Sequence, residues 1–252
     1  MLPYFIEELD KEYSVEINKE NLLSPFFELY VQYDAQVRDL AIYEDERISH
    51  VLISPKMIDE ILRYSKTLFS KITLLHCGGL IEAGLISHVY RSLGEHCKNI
   101  ETLSVGEEFL SYGVSASDIS DDSSEISGFI RSQSNLKKFA YYAETEIPHF
   151  IIPVLKTLEE HVPRLEILQI HNMHFSKRII EHLIASLKKF EHLKKLTFFN
   201  CYEIEHLLYL FTQMRTFSER TEVGFMSCTF QNKEFTFYLQ NILNSIPKSD
   251  EL

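Results

Sequence analysis

The sequence predicts an α/β solenoid, a unit of one short strand and one helix repeated so that about seven strands form a parallel concave sheet and the helices cover the convex side. Three observations lead there. An apolar strand pattern returns after each helix-like segment, its last position is apolar or aromatic in every copy, and three of the four cysteines fall at one fixed distance beyond it.

The clearest copies run from Leu165 to Ile170 and from Leu193 to Phe198, where apolar residues are spaced L-x-x-L-x-L. A register set on apolar residues alone puts the fourth position at Leu40, Ile72, Leu103, Phe139, Leu168, Leu196 and Val223, with steps of 32, 31, 36, 29, 28 and 27 residues. The sixth position then falls at Ile42, Leu74, Val105, Tyr141, Ile170, Phe198 and Phe225. Side chains alternate across a strand, so both rows belong to one core face.

Between the strands, apolar residues recur at helical spacing. Ser54-Pro55 reads as an N-cap with Pro at the first helical position, followed by Ile58, Ile61 and Leu62. Ser176 caps a second stripe of Ile179, Ile180, Leu183, Ile184 and Leu187, while Leu85, Val89 and Leu93 mark another, and Leu207, Leu208 and Phe211 one more. Asn232 is expected to cap a closing helix at about 233–246, with Phe235, Tyr238, Leu239 and Ile242 inward. Residues 1–36, with Phe26, Phe27, Leu29 and Tyr30, are expected to form a helical N-terminal cap, and 37–252 the solenoid. The long 36-residue step contains residues 111–125, whose Ser and Asp content reads as an extended loop; Ser120, Ser123 and Ser124 beside its acids are candidate phosphorylation sites, against a plain solvated insertion.

The cysteines were not used to set the register. Cys77, Cys201 and Cys228 land at its ninth position, and Cys97 three residues before a first strand position. In this pattern the chain resembles, over residues 37 to 245, the cysteine-containing leucine-rich repeats of F-box substrate receptors, C-x-x-L-x-x-L-x-L-x-x-C, and especially the F-box/leucine-rich-repeat proteins that fungi encode in many copies. The steps lie near or above the upper end of that family's period of roughly 20 to 29 residues, as full helices require. Asp45, Glu108, Glu144 and Met173 occupy the remaining ninth positions, so the match is incomplete there.

The resemblance implies a horseshoe, an inward Asn or Cys bonding the turning backbone, and a protein-recognition role as the substrate-receptor part of a cullin-type ubiquitin ligase. An F-box opens L-P-x-E and usually holds a tryptophan, whereas here only Leu2-Pro3 stands at the start and there is no Trp. The expectation is therefore either the later part of a longer product, whose upstream F-box would engage the ligase adaptor, or a relative that has lost the F-box. The other function class is a regulatory or structural repeat protein that occupies its partner without ubiquitin chemistry.

Charge narrows the partners. With 25 basic and 37 acidic residues the net charge is −12, which argues against nucleic acid and anionic membrane. Lys177, Arg178, Lys188, Lys189, Lys194 and Lys195 form a local exception that reads as a solvated helix face. The opening residues lack a signal-peptide pattern and no apolar run approaches the roughly 20 residues that span a bilayer, so a cytoplasmic or nuclear protein is expected. The final Ser-Asp-Glu-Leu resembles a retention tail that is read only in the secretory lumen, and is taken as coincidence.

No hydrolase, phosphate-loop, dinucleotide or zinc-protease motif occurs, and no catalytic residue, cofactor or metal is expected. His171, His174 and Cys201 lack the further ligands a metal needs, Gly78-Gly79 reads as a repeat turn, and thiols at core positions read as inert.

The binding expectation follows from alternation. With the fourth and sixth positions inward, the third, fifth and seventh face the concave surface. The fifth row reads Ala41, Thr73, Ser104, Ala140, Gln169, Thr197 and Gly224; the seventh reads Tyr43, Leu75, Gly106, Tyr142, His171, Phe199 and Met226. The candidate partner-binding residues are Tyr43, Leu75, Tyr142, His171, Phe199 and Met226, with Gln169 and the third-row Lys138 and Lys195. Aromatic anchors beside small residues favour a protein partner, unless the row packs beneath the loops that follow each strand.

Overall fold

The computed structural model describes residues 39–42, 72–77, 85–106, 116–143, 151–202, 220–230 and 233–238. Among them, in chain order, are β1 (Asp39–Ile42), β2 (Leu74–Cys77), α1 (Leu85–His96), β3 (Thr102–Gly106), α2 (Ala116–Arg131), β4 (Lys138–Tyr142), α3 (Ile151–His161), β5 (Ile167–His171), α4 (Lys177–Leu187), β6 (Lys195–Phe199), β7 (Glu222–Phe230) and β8 (Lys233–Tyr238). The expected N-terminal cap, the Ser54–Pro55 helix start, the Leu207–Phe211 stripe and Tyr43 lie outside the described residues.

All eight strands form one sheet in sequence order. Each of the first six pairings is parallel, and between β2 and β6 the described helices α1 to α4 carry the chain back to the starting edge before each next strand. Successive helices pack on one another, α1 on α2, α2 on α3 and α3 on α4. The result is an α/β arrangement in which one continuous core is shared by neighbouring units.

The register shows what repeats. Leu40, Leu75, Leu103, Phe139, Leu168, Leu196 and Val223 lie side by side, as do Ile42, Cys77, Val105, Tyr141, Ile170, Phe198 and Phe225. From Leu75 and Cys77 onward every member of both rows is buried. Backbone bonds repeat with them: the carbonyls of Thr73, Glu101, Lys137 and Glu166 each accept two N–H groups from the start of the next strand, at 2.7 to 3.1 Å. On the exposed side of the same position, Lys137 pairs with Glu101 at 3.3 Å and Lys194 with Glu166 at 2.9 Å, so charge alternates in sign from unit to unit.

This register corrects the second unit. Ile72, Leu74 and Leu75 fit the apolar pattern in two ways, and the structure takes the one that buries Ile72, Leu75 and Cys77 as first, fourth and sixth positions. Cys77 is therefore a core strand residue rather than a ninth-position turn residue. His76 takes the fifth position in place of Thr73, and Leu75 faces the core, not a partner.

Two further expectations change. Residues 116–125 of the expected loop belong to α2, whose Ile126, Phe129 and Ile130 are buried. Ile119 precedes them at helical spacing, and the Ser-Asp composition hid that stripe. The expected closing helix is instead, over Lys233–Tyr238, an antiparallel strand on β7. Only two residues separate these strands, a connection that suits a hairpin, and Phe235, Thr236, Phe237 and Tyr238 are types that favour strands. The sheet is thus not wholly parallel.

Turns and caps hold the units in place. Ser176 caps α4, its Oγ accepting from the Ile179 N–H at 3.4 Å. Asn172, Asn200 and Ser227, each four residues after a fourth position, have φ of 56°, 48° and 50°, the left-handed region in which Asn is tolerated. The buried Gln133 amide donates to the Cys97 carbonyl at 2.8 Å and accepts from the Ile100 N–H at 3.2 Å, joining the end of α2 to the turn after α1.

Candidate functional site

The described helices pack on one another over the buried fourth and sixth rows, so the third, fifth and seventh strand positions form the sheet's other face. Parallel strands lie about 4.8 Å apart, and identical positions therefore stack at nearly the spacing of aromatic rings. The register places Gly106, Tyr142, His171, Phe199 and Met226 in one row. Tyr142 stacks on His171 with ring centroids 4.0 Å apart and planes 19° apart, and His171 on Phe199 at 4.5 Å and 10°. Gly106, which has no side chain, precedes Tyr142 in the row; across that gap the His76 ring stands edge-on to Tyr142 at 5.7 Å and 87°.

Four rings thus run over β2, β4, β5 and β6, each half-buried and half-open, with Met226 half-buried at the end. Beside them, the fifth row is small or polar: Ser104, Ala140, Gln169, Thr197 and Gly224, of which Ala140, Thr197 and Gly224 are buried. Lys138 is exposed, while Lys195 is half-buried and paired with Glu222 at 3.2 Å.

The row is electrically neutral at physiological pH. Burial, reinforced by the neighbouring His76, pushes His171 down to about 4, and burial also lowers His76 and raises Tyr142. The His171 Nε2 is buried without a hydrogen-bond partner. Such a surface offers ring edges, faces and a thioether to a partner, with the exposed Lys138 as a cation on the same face.

Of the residues singled out from sequence, Tyr142, His171, Phe199 and Met226 come together in this row, with Gln169, Lys138 and Lys195 on the same face. Leu75 does not, being core. His76 was missed because the second unit was read three residues early. A second ladder at the strand ends was missed too: the Asn200 amide donates to the Asn172 side-chain oxygen at 3.0 Å, the Tyr202 hydroxyl donates to Asn200 Oδ1 at 3.3 Å, and His174 stacks on Tyr202 at 4.5 Å. Its signal was present in the 28-residue offset shared by Asn172 and Asn200 and by His174 and Tyr202. His171 and His174 lie in separate stacks, and no group of three or more His, Cys, Asp or Glu residues suited to a metal occurs among the described residues. Nor is any described helix long and apolar enough to cross a membrane.

Comparison with known proteins adds little. No family model matches the chain, and no curated protein matches it. Among solved structures, it is similar to one titled leiomodin-1 actin-binding site 2, at 11% identity and a TM-score of 0.43, over 77% of this chain and 98% of that one. A likeness at that level leaves the function to be argued from the site.

Proposed function

We propose that the chain is a leucine-rich-repeat solenoid that acts as a protein-binding scaffold, its partner lying on the helix-free, concave face. Support for the repeat reading comes from six successive parallel pairings, the left-handed residue four places beyond the fourth position at Asn172, Asn200 and Ser227, and cysteines at the ninth position in Cys201 and Cys228. The observation that carries the binding reading is the continuous row of half-open rings on Tyr142, His171 and Phe199. A soluble surface rarely keeps contiguous aromatic area uncovered unless something docks there, and rigid rings bind at little entropic cost.

The test uses the whole chain as bait. Tyr142→Ala and Phe199→Ala, each made singly, remove one ring from the row and are expected to lose the captured protein, while Arg178→Ala on an exposed part of α4 keeps it. Retention by both ring variants overturns the assignment of the face. The finer role that the family resemblance implies, substrate receptor of a cullin-type ligase, is tested separately with the purified ligase adaptor subunit. Capture of the adaptor supports that role, and reproducible failure removes it while leaving the scaffold, which then acts without ubiquitin chemistry.

A further inference from the structure

The four cysteines are all free and buried, yet they are not equivalent. Cys77 lies against the Tyr90 hydroxyl, and burial pushes both Cys77 and Cys97 up to about 12, where a thiol is inert. Cys201 and Cys228 differ, because they stand at the same position of consecutive units. The pairing that sets Phe199 beside Met226 continues through the Asn200 N–H, which donates to the Met226 carbonyl at 2.8 Å, and the next residue after each turn is a cysteine. Both thiols reach into the same backbone: Cys201 Sγ donates to the Phe199 carbonyl at 3.3 Å and Cys228 Sγ to the Phe198 carbonyl at 3.4 Å. Each thiol is also among the groups that perturb the other.

We propose that Cys201 and Cys228 form a dithiol that closes to an intramolecular disulfide when hydrogen peroxide oxidises the folded protein. Neighbouring parallel strands are about 4.8 Å apart, inside the roughly 4.4 to 6.8 Å that separates Cα atoms across a disulfide. Equivalent positions of adjacent units therefore fall within the Cα range of a bridge. Cys228 is the first nucleophile: the neighbouring Cys201 thiol lowers it, against the opposing effect of burial, whereas burial drives Cys201 up.

The chemistry balances in two steps. The Cys228 thiolate attacks one peroxide oxygen, the O–O bond breaks, and the departing oxygen leaves as water after taking a proton, so Cys228 becomes a sulfenic acid. The Cys201 sulfur then attacks the Cys228 sulfur; the S–O bond breaks and the hydroxide leaves as a second water with the proton from Cys201. Two electrons pass from the sulfurs to the peroxide. Because both side chains are fully buried, the first step waits on local opening of the segments that carry them.

The experiment treats the folded full chain with hydrogen peroxide, alkylates the remaining thiols and maps linked peptides by mass spectrometry. The expected result is loss of two of the four free thiols, with Cys201 joined to Cys228 as the dominant link, reversed by a dithiol reductant. In Cys201→Ser the reaction stops at a Cys228 sulfenic acid that a cyclic dione traps. In Cys228→Ser, Cys201 stays reduced. The proposal is overturned if the folded protein gives no such link, if Cys77 and Cys97 link as readily, or if the link forms only after unfolding in denaturant.

Discussion

His171 sits between two rings with a nitrogen that nothing bonds, and its protonation is correspondingly disfavoured. Its folded pKa of about 4 lies below the ordinary 6.5, so the unfolded chain binds the proton first. The stability this neutral imidazole contributes is therefore complete above pH 6.5 and is lost as pH falls from there towards 4. Proton NMR of the imidazole is expected to show a midpoint near 4, and a midpoint near 6.5 would mean the ring is solvated. His171→Phe keeps the stack and removes the unpartnered nitrogen, so it is expected to hold or raise stability at neutral pH and to flatten the acid slope in denaturant titrations. The ring row itself was legible at Tyr142, His171 and Phe199 because unit lengths of 28 and 29 residues are nearly constant there. Where the unit length changes, as between Leu40 and Leu75, apolar residues alone could not choose between Ile72 and Leu75 as the fourth position, and the seventh-row assignment failed with it.

Each strand-and-helix unit is held by a few residues with separable effects. Leu168 and Leu196 are fully buried in adjacent central strands, and truncating either to Ala is expected to cost about 2 to 5 kcal/mol in equilibrium unfolding, as cavities in packed cores do. Losses under about 1 kcal/mol would place these residues off the core face. Ser176→Ala removes the cap on the first turn of α4 and is expected to cost about 1 kcal/mol. Helix α4 was legible because Ser176 and an unbroken apolar stripe agree. Helix α2 was not, since its first half carries Ser and Asp, which are poor helix formers, and only packing of Ile126, Phe129 and Ile130 decides the outcome. At β8 two periods coexist in the sequence: Phe235, Tyr238 and Leu239 fit a helix, whereas Phe235 and Phe237 fit a strand, and the open edge of β7 selects the strand.

Across the whole molecule, each unit buries its apolar side only against its neighbours, so the sheet edges carry the risk of self-association. Deleting 233–252 uncovers β7 along the edge where Gly224, Phe225, Cys228, Thr229 and Phe230 now pair with β8, and the truncated chain is expected to aggregate on expression. A monodisperse and equally stable product would mean that β8 does not close the core. The open face, by contrast, is expected to mediate binding without carrying the fold. The most direct measurement is site-specific photo-crosslinking, with benzoylphenylalanine placed either at Met226, half-buried at the end of the ring row, or at Arg178, exposed on α4. Irradiation of cells or lysate is expected to give a discrete adduct of the chain with a second protein from position 226 and none from 178. Adducts from 178 alone, or equally from both positions, would contradict the assignment of the partner to the helix-free face.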